Sequence, residues 1–340
     1  MLKNLLNKCI SGETLSETES YQVMDEIMSG RATSSQIASL LTILRFRGET
    51  IEEITGFARA MREHMLPLDY EDDQIIDTCG TGGDGTSTFN ISTAAAIVVS
   101  SLGIRVAKHG NRAVSSNSGS ADVLEHLGIE IQATKEQAKQ ALKERGLSFL
   151  FAPIYHSAMK HAVNPRREIG FRTVFNLLGP MANPAKCKKQ VIGVFSISYA
   201  EKMAHALQKL GSEHVLFVTG RDGLDECSIS AETDIVELKN GKISKFVLSP
   251  EDVGLQRGNL SDIQVSTANE SAALLKDVLF GNANESAVNI VLFNAGVAIY
   301  ISGRSSSIQN GVEIAKEAIK SGLVRSHFEK LTIREVENYA

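Results

Sequence analysis

The spacing of apolar and polar positions divides the chain into two regions. In roughly the first 66 residues, apolar side chains recur every three or four positions, which predicts three amphipathic helices. Ser16 with Glu19, and Thr50 with Glu53, have the spacing of capping boxes that begin a helix. We expect these helices to pack together as a small bundle.

From residue 75 onward, short apolar runs of strand length alternate with helical stretches. The predicted strands are 75–77, 104–107, 147–151, 191–195 and 215–218. Strands that alternate with helices indicate an α/β fold with a mainly parallel sheet. The exception is 235–247, where two short strands flank Asn240 and Gly241, the signal of a hairpin with a type I′ turn. An antiparallel excursion from the parallel sheet is therefore expected there.

A domain boundary is expected near Leu68, because Pro67 ends the preceding helix and an acidic, unpatterned segment follows. This predicts a helical domain at 1–68 and a larger α/β domain at 69–340. The segment 155–185 is rich in proline and arginine and fits neither pattern. We expect it to cross between the domains and to join the helical one in part.

Composition restricts the class of protein. Apolar residues make up 43% and charged residues 22%, which is ordinary for a globular protein, and a net charge of −5 gives no general attraction for nucleic acid. The four cysteines form no CxxC pair, which argues against a zinc ribbon or a disulfide framework. The N-terminus lacks the apolar run of a signal peptide, and no apolar stretch approaches the roughly 18 residues of a membrane span. These features predict a soluble, cytoplasmic protein.

The stretch 77–93, DTCGTGGDGTSTFNIST, has the order strand, glycine-rich loop and helix start that binds phosphate. It matches the dinucleotide fingerprint formally, but the next strand leads to Lys108 where an acidic residue is required. A Walker A loop is excluded because Thr86 occupies the position of its lysine. A phosphate site is favoured over a turn that binds no ligand.

Two further segments carry chemistry that suits a diphosphate. The loop after the next strand contains Lys108 and Arg112, whose cationic groups could close over it, although a serine-rich surface loop is the alternative. Asp225 and Glu226 are adjacent carboxylates that could hold Mg²⁺ beside the phosphates, and Asp222 is an equally plausible ligand. Adjacent acids are also common as a solvated surface pair.

Taken together, these motifs resemble the anthranilate phosphoribosyltransferases over nearly the whole chain. The motifs are GTGGD at 80–84, NIST at 90–93, KHGNRAVSS at 108–116, SGSADVLEHLG at 118–128, RREIGFRTVFNLLGP at 166–180 and GLDE at 223–226. The resemblance implies a small helical domain, a larger α/β domain, an active site between them and a homodimer that forms through the helical domain. It also implies transfer of a phosphoribosyl group from phosphoribosyl diphosphate to the amine of anthranilate, in tryptophan biosynthesis, with Mg²⁺ as cofactor.

The resemblance also implies roles for individual residues. Lys108, Asn111 and Arg166 would act in catalysis, with Asn111 and Arg166 at anthranilate, and Ser92, Asp225 and Glu226 would hold Mg²⁺. The residues implied at the substrates are Gly80, Gly83, Asp84, Thr88, Asn90, Ile91, Ser92, Thr93, Lys108, His109, Gly110, Asn111, Arg112, Ala113, Val114, Ser115, Ser116, Ser120 and Arg166.

The chain departs from the family pattern at two places. Asn117 stands where a lysine is common, and Asn164 with Pro165 stands where Pro-Val is common before the first arginine. Two rival functions stay open at this point. One is a pyrimidine nucleoside phosphorylase of the same fold, and the other is a non-catalytic relative that binds nucleic acid, against which the net charge of −5 counts.

Overall fold

A computed structural model of the chain describes residues 2–113 and 118–332. Its strands are β1 Ile76–Gly80, β2 Val106–Gly110, β3 Leu147–Phe151, β4 Lys189–Gly193, β5 His214–Gly220, β6 Thr233–Lys239 and β7 Lys242–Leu248. Its α-helices are α1 Leu2–Ile10, α2 Glu17–Met28, α3 Ser34–Arg47, α4 Ile51–His64, α5 Ile91–Ser101, α6 Ser120–His126, α7 Lys135–Arg145, α8 Ala152–Tyr155, α9 Lys160–Ile169, α10 Val174–Met181, α11 Ile197–Lys209, α12 Ala268–Leu279, α13 Glu285–Ser302, α14 Ile308–Lys320 and α15 Leu323–Thr332.

Within the described residues, the strands form one sheet in the order β3-β2-β1-β4-β5-β6-β7. The first five strands are parallel, and β6 and β7 add an antiparallel hairpin at the edge. Asn240 and Gly241 both have positive φ, 48° and 74°, as a type I′ turn requires. The predicted fold class is therefore confirmed. The chain winds outward in both directions from β1 and β4, so a crevice forms where their carboxyl ends diverge.

The N-terminal unit contains four helices in the described part of the chain, one more than the sequence pattern predicts. The additional helix, α1, has only nine residues, and no capping-box pair marks its start in the sequence, which explains why the pattern misses it. Both predicted capping boxes are present, at Ser16 with Glu19 and at Thr50 with Glu53. The crossing segment returns to this unit, since α9 packs on α2 and α3, and α10 packs on α4.

Alternate residues of the central strands pack on opposite faces of the sheet. On one face, Val191 and Leu216 pack with α5 and α13. On the other face, Ile192 and Phe217 belong to the same hydrophobic cluster as the N-terminal helices. The helical unit and this face of the sheet thus share one core.

Helix α13 corrects the expectation that no apolar stretch approaches the length of a membrane span. It has 18 residues and a mean hydropathy of 1.4, enough to cross a membrane by length and composition. In the fold, 78% of it is buried, and it packs against α5 and α14. A core helix that is apolar on all sides has the same composition as a spanning helix.

Candidate active site

The glycine-rich loop lies at the crevice between β1 and β4. Gly82, Gly83 and Gly85 have φ values of +68°, +73° and +78°, a conformation that only glycine adopts without strain. The loop leads to Asn90, the residue before the first turn of α5, whose side chain makes no capping hydrogen bond to the helix. The partial positive charge at a helix start favours an anion.

The loop between β5 and β6 places Asp225 and Glu226 against this anion site. The Gly82 amide donates a hydrogen bond to Asp225 Oδ2 at 2.8 Å, and the Ser92 amide donates to Glu226 Oε1 at 3.2 Å. Asp225 is only 8% exposed. The two carboxylates therefore contact the glycine-rich loop and the start of α5, which argues against a solvated surface pair.

Two glycines at strand ends make room for Asp225. A Cβ atom on Gly80 would lie 2.7 Å from Asp225 Oδ2, and a Cβ atom on Gly193 would lie 1.5 Å from the backbone oxygen of Asp225. Gly80 and Gly193 are paired neighbours on β1 and β4. The sequence reasoning assigned Gly80 to the substrate and did not single out Gly193.

The carboxylates carry strongly perturbed acidities. Burial raises the pKa of Asp225, and repulsion from Asp84 raises it further, while the Arg172 guanidinium opposes the shift. Burial and repulsion from Asp225 likewise raise the pKa of Glu226. Asp225 is buried and Glu226 half-buried, and a cation stabilises such a pair of like charges, so this donor set fits a divalent ion of the Mg²⁺ type. Within 2–113 and 118–332, no group of three or more His, Cys, Asp or Glu side chains forms a complete metal site, so a bound cation would take further ligands from water or substrate.

Lys108 lies buried behind the start of α5. Its ammonium group donates to the backbone oxygen of Thr78 at 2.5 Å and to Ser92 Oγ at 3.1 Å. Burial lowers the pKa of Lys108, and attraction to Asp77 raises it. The structure thus joins Lys108 to Ser92, two residues predicted for one site.

The loop after β2 is held by α6. The Arg112 guanidinium donates to Asp122 Oδ1 at 2.8 Å and to Glu125 Oε2 at 2.9 Å, so it is already paired. The Ala113 amide also donates to Asp122, at 2.9 Å. Ser120 Oγ donates weakly to the Asn111 backbone oxygen at 3.4 Å. Val114, Ser115, Ser116 and Asn117 lie outside the described residues.

The remaining predicted residues occupy the same end of the sheet or its border with the helical unit. Asn90 Oδ1 accepts from Ser118 Oγ at 3.0 Å and from Ser271 Oγ at 2.8 Å, which ties the α5 start to the neighbouring loop and to α12. Thr88 forms an isolated β-bridge with Gln264. The Thr93 hydroxyl is buried without a partner among the described residues.

Arg166 lies on α9, with its guanidinium carbon 5.1 Å from the centre of the Phe175 ring, and burial lowers its pKa. Pro165, part of the departure from the family pattern, is buried inside the same helix. His109 faces His156 at a ring distance of 5.0 Å. Burial lowers the pKa of His109 to about 3 and that of His156 to about 4, so both rings are neutral.

Asp222 and Arg172 have positions in the structure that differ from what the sequence predicts for them. Asp222, considered there as a metal ligand, accepts hydrogen bonds from the hydroxyls of Ser228, at 2.6 Å, and Ser230. It therefore braces the loop that carries the carboxylate pair. Arg172, named in the sequence analysis only within the motif at 166–180, packs against Gly83 of the glycine-rich loop. That motif is the only sequence signal for it.

Comparison with known proteins identifies the class. Residues 72–325 match the α/β domain model of a glycosyl transferase family, and residues 3–65 match the helical bundle domain model of that family. The chain belongs to this glycosyl transferase family.

More specifically, the relatives are anthranilate phosphoribosyltransferases. The chain is 66% identical to that of Geobacillus sp. (strain WCH70) over the full length of both, and 57% identical to that of Halalkalibacterium halodurans, again over the full length of both. The crystal structure of the Thermus thermophilus enzyme superposes with a TM-score of 0.90 at 42% identity, covering 96% of this chain and 98% of that one. The Saccharomyces cerevisiae enzyme in complex with PRPP and Mg gives 0.87 at 31%, covering 97% and 96%.

The family resemblance stated from the motifs is thereby confirmed. The chain is an enzyme of the pentosyltransferase type, and it transfers the phosphoribosyl group of phosphoribosyl diphosphate to anthranilate in tryptophan biosynthesis.

Proposed function

We propose that the crevice between β1 and β4 is where this transfer occurs, with the diphosphate of phosphoribosyl diphosphate on the glycine-rich loop. The observation that carries the proposal is the convergence of Asp225 and Glu226 on the amides of Gly82 and Ser92. Carboxylates attract a cation, whereas backbone amides in a glycine-rich loop and at a helix start attract an anion. A diphosphate bound together with a divalent cation satisfies both at once.

Mg²⁺ is proposed as the cation, held by Asp225, Glu226 and the hydroxyl of Ser92. A yeast relative was solved with PRPP and Mg, and the buried carboxylate pair of this chain fits a hard cation. The bound ion would neutralise the charge that accumulates on the diphosphate as it leaves.

The protein's own groups also stabilise the charge on the leaving diphosphate. Breaking the bond from ribose C1 to the diphosphate oxygen leaves an oxocarbenium-like carbon and a highly charged leaving group. The loop amides and the start of α5 bind that leaving group, and the cation of Lys108 lies directly behind Ser92. The aromatic amine of anthranilate has a free lone pair at neutral pH, so attack on C1 needs no strong base.

The acceptor is proposed to bind beside the crossing segment. Arg166 supplies a positive charge for the anthranilate carboxylate, and Asn111 a polar contact from the loop after β2. The neutral rings of His109 and His156 suit an aromatic ligand better than charged rings would. For Arg112 to contact substrate, it would first have to leave Asp122 and Glu125. Closure over the substrates, expected for 108–116, stays proposed only for 111–116, because Lys108, His109 and Gly110 lie in β2.

The organisation of the protein is also proposed on these grounds. We keep a helical domain at 1–68, joined by part of 155–185, and an α/β domain at 69–340. A homodimer through the helical domain is supported by Phe46, which is 95% exposed, and Ile10, which is 69% exposed. A cytoplasmic location is supported by the four cysteines, all buried and unpaired in the described structure.

The proposal is tested by following anthranilate fluorescence with phosphoribosyl diphosphate and Mg²⁺. We expect Mg²⁺-dependent consumption in the wild type and a loss of at least about 100-fold in an Asp225→Asn, Glu226→Gln double variant. The variant Asp234→Asn, which alters an acid on β6 that is paired with Arg221, serves as control and should keep its rate. Phosphorolysis of uridine without anthranilate turnover, or retention of single-stranded DNA in a gel shift, would instead support a rival function.

A further inference from the structure

Arg172 packs on the glycine-rich loop from the side of the helical unit. It precedes Thr173, the residue that caps α10. Its Nε atom lies 3.1 Å from the position that a Cβ atom of Gly83 would occupy, and Cζ and Nη2 lie at 3.6 Å. The guanidinium group therefore lies directly on the backbone of Gly83, and any larger residue there would push it away.

An aromatic ring also packs on the guanidinium group. Arg172 Cζ lies 4.7 Å from the centre of the Phe195 ring, just after β4. Phe195 packs in turn on Tyr199 at a ring distance of 5.4 Å, and the Tyr199 hydroxyl donates to Glu49 Oε2 at 2.9 Å. Packing of this kind fixes the plane of a guanidinium group and leaves its N–H edge available.

Nothing in the described residues occupies that edge. Arg112 and Arg221 each bind two carboxylates, whereas the described structure gives Arg172 neither a hydrogen bond nor an ion pair through its side chain. An oriented guanidinium with unused donors, beside a loop that binds phosphate, has the geometry for a bidentate contact to an anion.

We infer that Arg172 binds the diphosphate of phosphoribosyl diphosphate from beside Gly83 of the glycine-rich loop. The inference rests on the proposed position of the diphosphate. Contact with Gly83 places Arg172 on the donor substrate's loop, which favours the diphosphate over the other anion of the reaction, the carboxylate of anthranilate. Phe195 contacts Arg172 just after β4, and Gly83 lies in the loop after β1, so the segments that follow both strands bordering the crevice would contribute to holding the leaving group.

The test measures binding of inorganic diphosphate with Mg²⁺ by isothermal titration calorimetry to the full-length wild type, Arg172→Gln and Arg172→Lys. Losing charge-assisted hydrogen bonds should weaken diphosphate binding about 10- to 100-fold in Arg172→Gln, with a smaller loss in Arg172→Lys, which keeps the charge but not the planar fork. The KM for phosphoribosyl diphosphate should rise in parallel, and that for anthranilate should stay within about twofold. Phe195→Leu, which removes only the stacking ring, should weaken diphosphate binding less than Arg172→Gln does.

Arg167→Gln is the matched control, because Arg167 is exposed on α9 and contacts Asn164. It should bind diphosphate as the wild type does. A rise in the KM for anthranilate alone would place Arg172 at the acceptor and overturn the inference. Unchanged diphosphate binding in Arg172→Gln, or an equal loss for ribose 5-phosphate, which has no diphosphate, would also overturn it. Wild-type diphosphate binding without anthranilate turnover would refute the proposed function and leave the result on Arg172 standing.

Discussion

Replacing Gly193 by alanine tests whether the end of β4 sets the position of the carboxylate pair. The added Cβ atom would lie 1.5 Å from the backbone oxygen of Asp225 and 2.6 Å from its carbonyl carbon. Both are backbone atoms, so no side-chain rotation can relieve the overlap. The loop would have to move by roughly 2 Å to reach an ordinary van der Waals separation.

A movement of that size is large compared with what the site tolerates. Mg²⁺ requires its ligands at about 2.1 Å in near-octahedral geometry, and a misplacement of about 1 Å in an active site can cost about 100-fold in rate. The hydrogen bond from the Gly82 amide to Asp225 would also be strained. We expect kcat/KM to fall about 100-fold or more, with a free energy of unfolding lower by about 1 to 3 kcal/mol from overpacking.

The assay combines anthranilate fluorescence at varied Mg²⁺ with urea unfolding followed by circular dichroism. Gly211→Ala is the control, because Gly211 has φ +83° and no neighbour within 4 Å of its would-be Cβ atom. That variant should lose about 1 kcal/mol of stability through backbone strain and keep its Mg²⁺ dependence. If Gly193→Ala kept kcat/KM and Mg²⁺ dependence within about twofold of wild type, the reasoning would be refuted.

Three further predictions concern charge, the acceptor and assembly. The raised pKa values of Asp225 and Glu226 mean that both carboxyls hold protons at a higher pH than free carboxyls do. Binding of Mg²⁺ with diphosphate should therefore release protons, and its affinity should increase as the pH rises from about 5 to 8. Calorimetry in buffers of different ionisation enthalpy would detect the proton release, and a pH-independent affinity would contradict the prediction. Arg166→Ala should raise the KM for anthranilate far more than that for phosphoribosyl diphosphate, by about 10-fold or more, and an equal effect on both would remove Arg166 from the acceptor site. Phe46→Glu should change the sedimenting species from dimer to monomer. The control Val247→Glu, at a side chain 42% exposed on β7, should remain a dimer. A Phe46→Glu variant that is still a dimer would exclude the helical-domain interface.

Local sequence signals predicted the parts of the fold that depend on neighbours along the chain. The capping boxes at Ser16 and Thr50 form because their partners lie three residues away. The turn at Asn240 and Gly241 forms because those residues accept positive φ wherever they occur. By contrast, the pattern does not predict α1, since a short helix whose sequence has no capping-box pair depends on its packing against α3 for stability.

In the candidate site, too, local sequence signals predict some features, and only the packing of the fold determines others. Motifs along the sequence identified the family and named the glycine-rich loop, Lys108 and the carboxylate pair, because each combines residue types whose chemistry is recognisable in isolation. They could not show that the Lys108 ammonium lies between Thr78 and Ser92, since that depends on how β1, β2 and α5 come together.

The sequence by itself therefore determined the helical and α/β regions, the hairpin, and which residue types could bind a diphosphate and a cation. Only the tertiary structure decided the strand order that opens the crevice between β1 and β4. The same order brings Gly193 against Asp225, and it brings Arg172 onto Gly83. These contacts join residues 32 and 89 positions apart, and no local pattern encodes them, because they arise from the packing of strands and helices around a shared core.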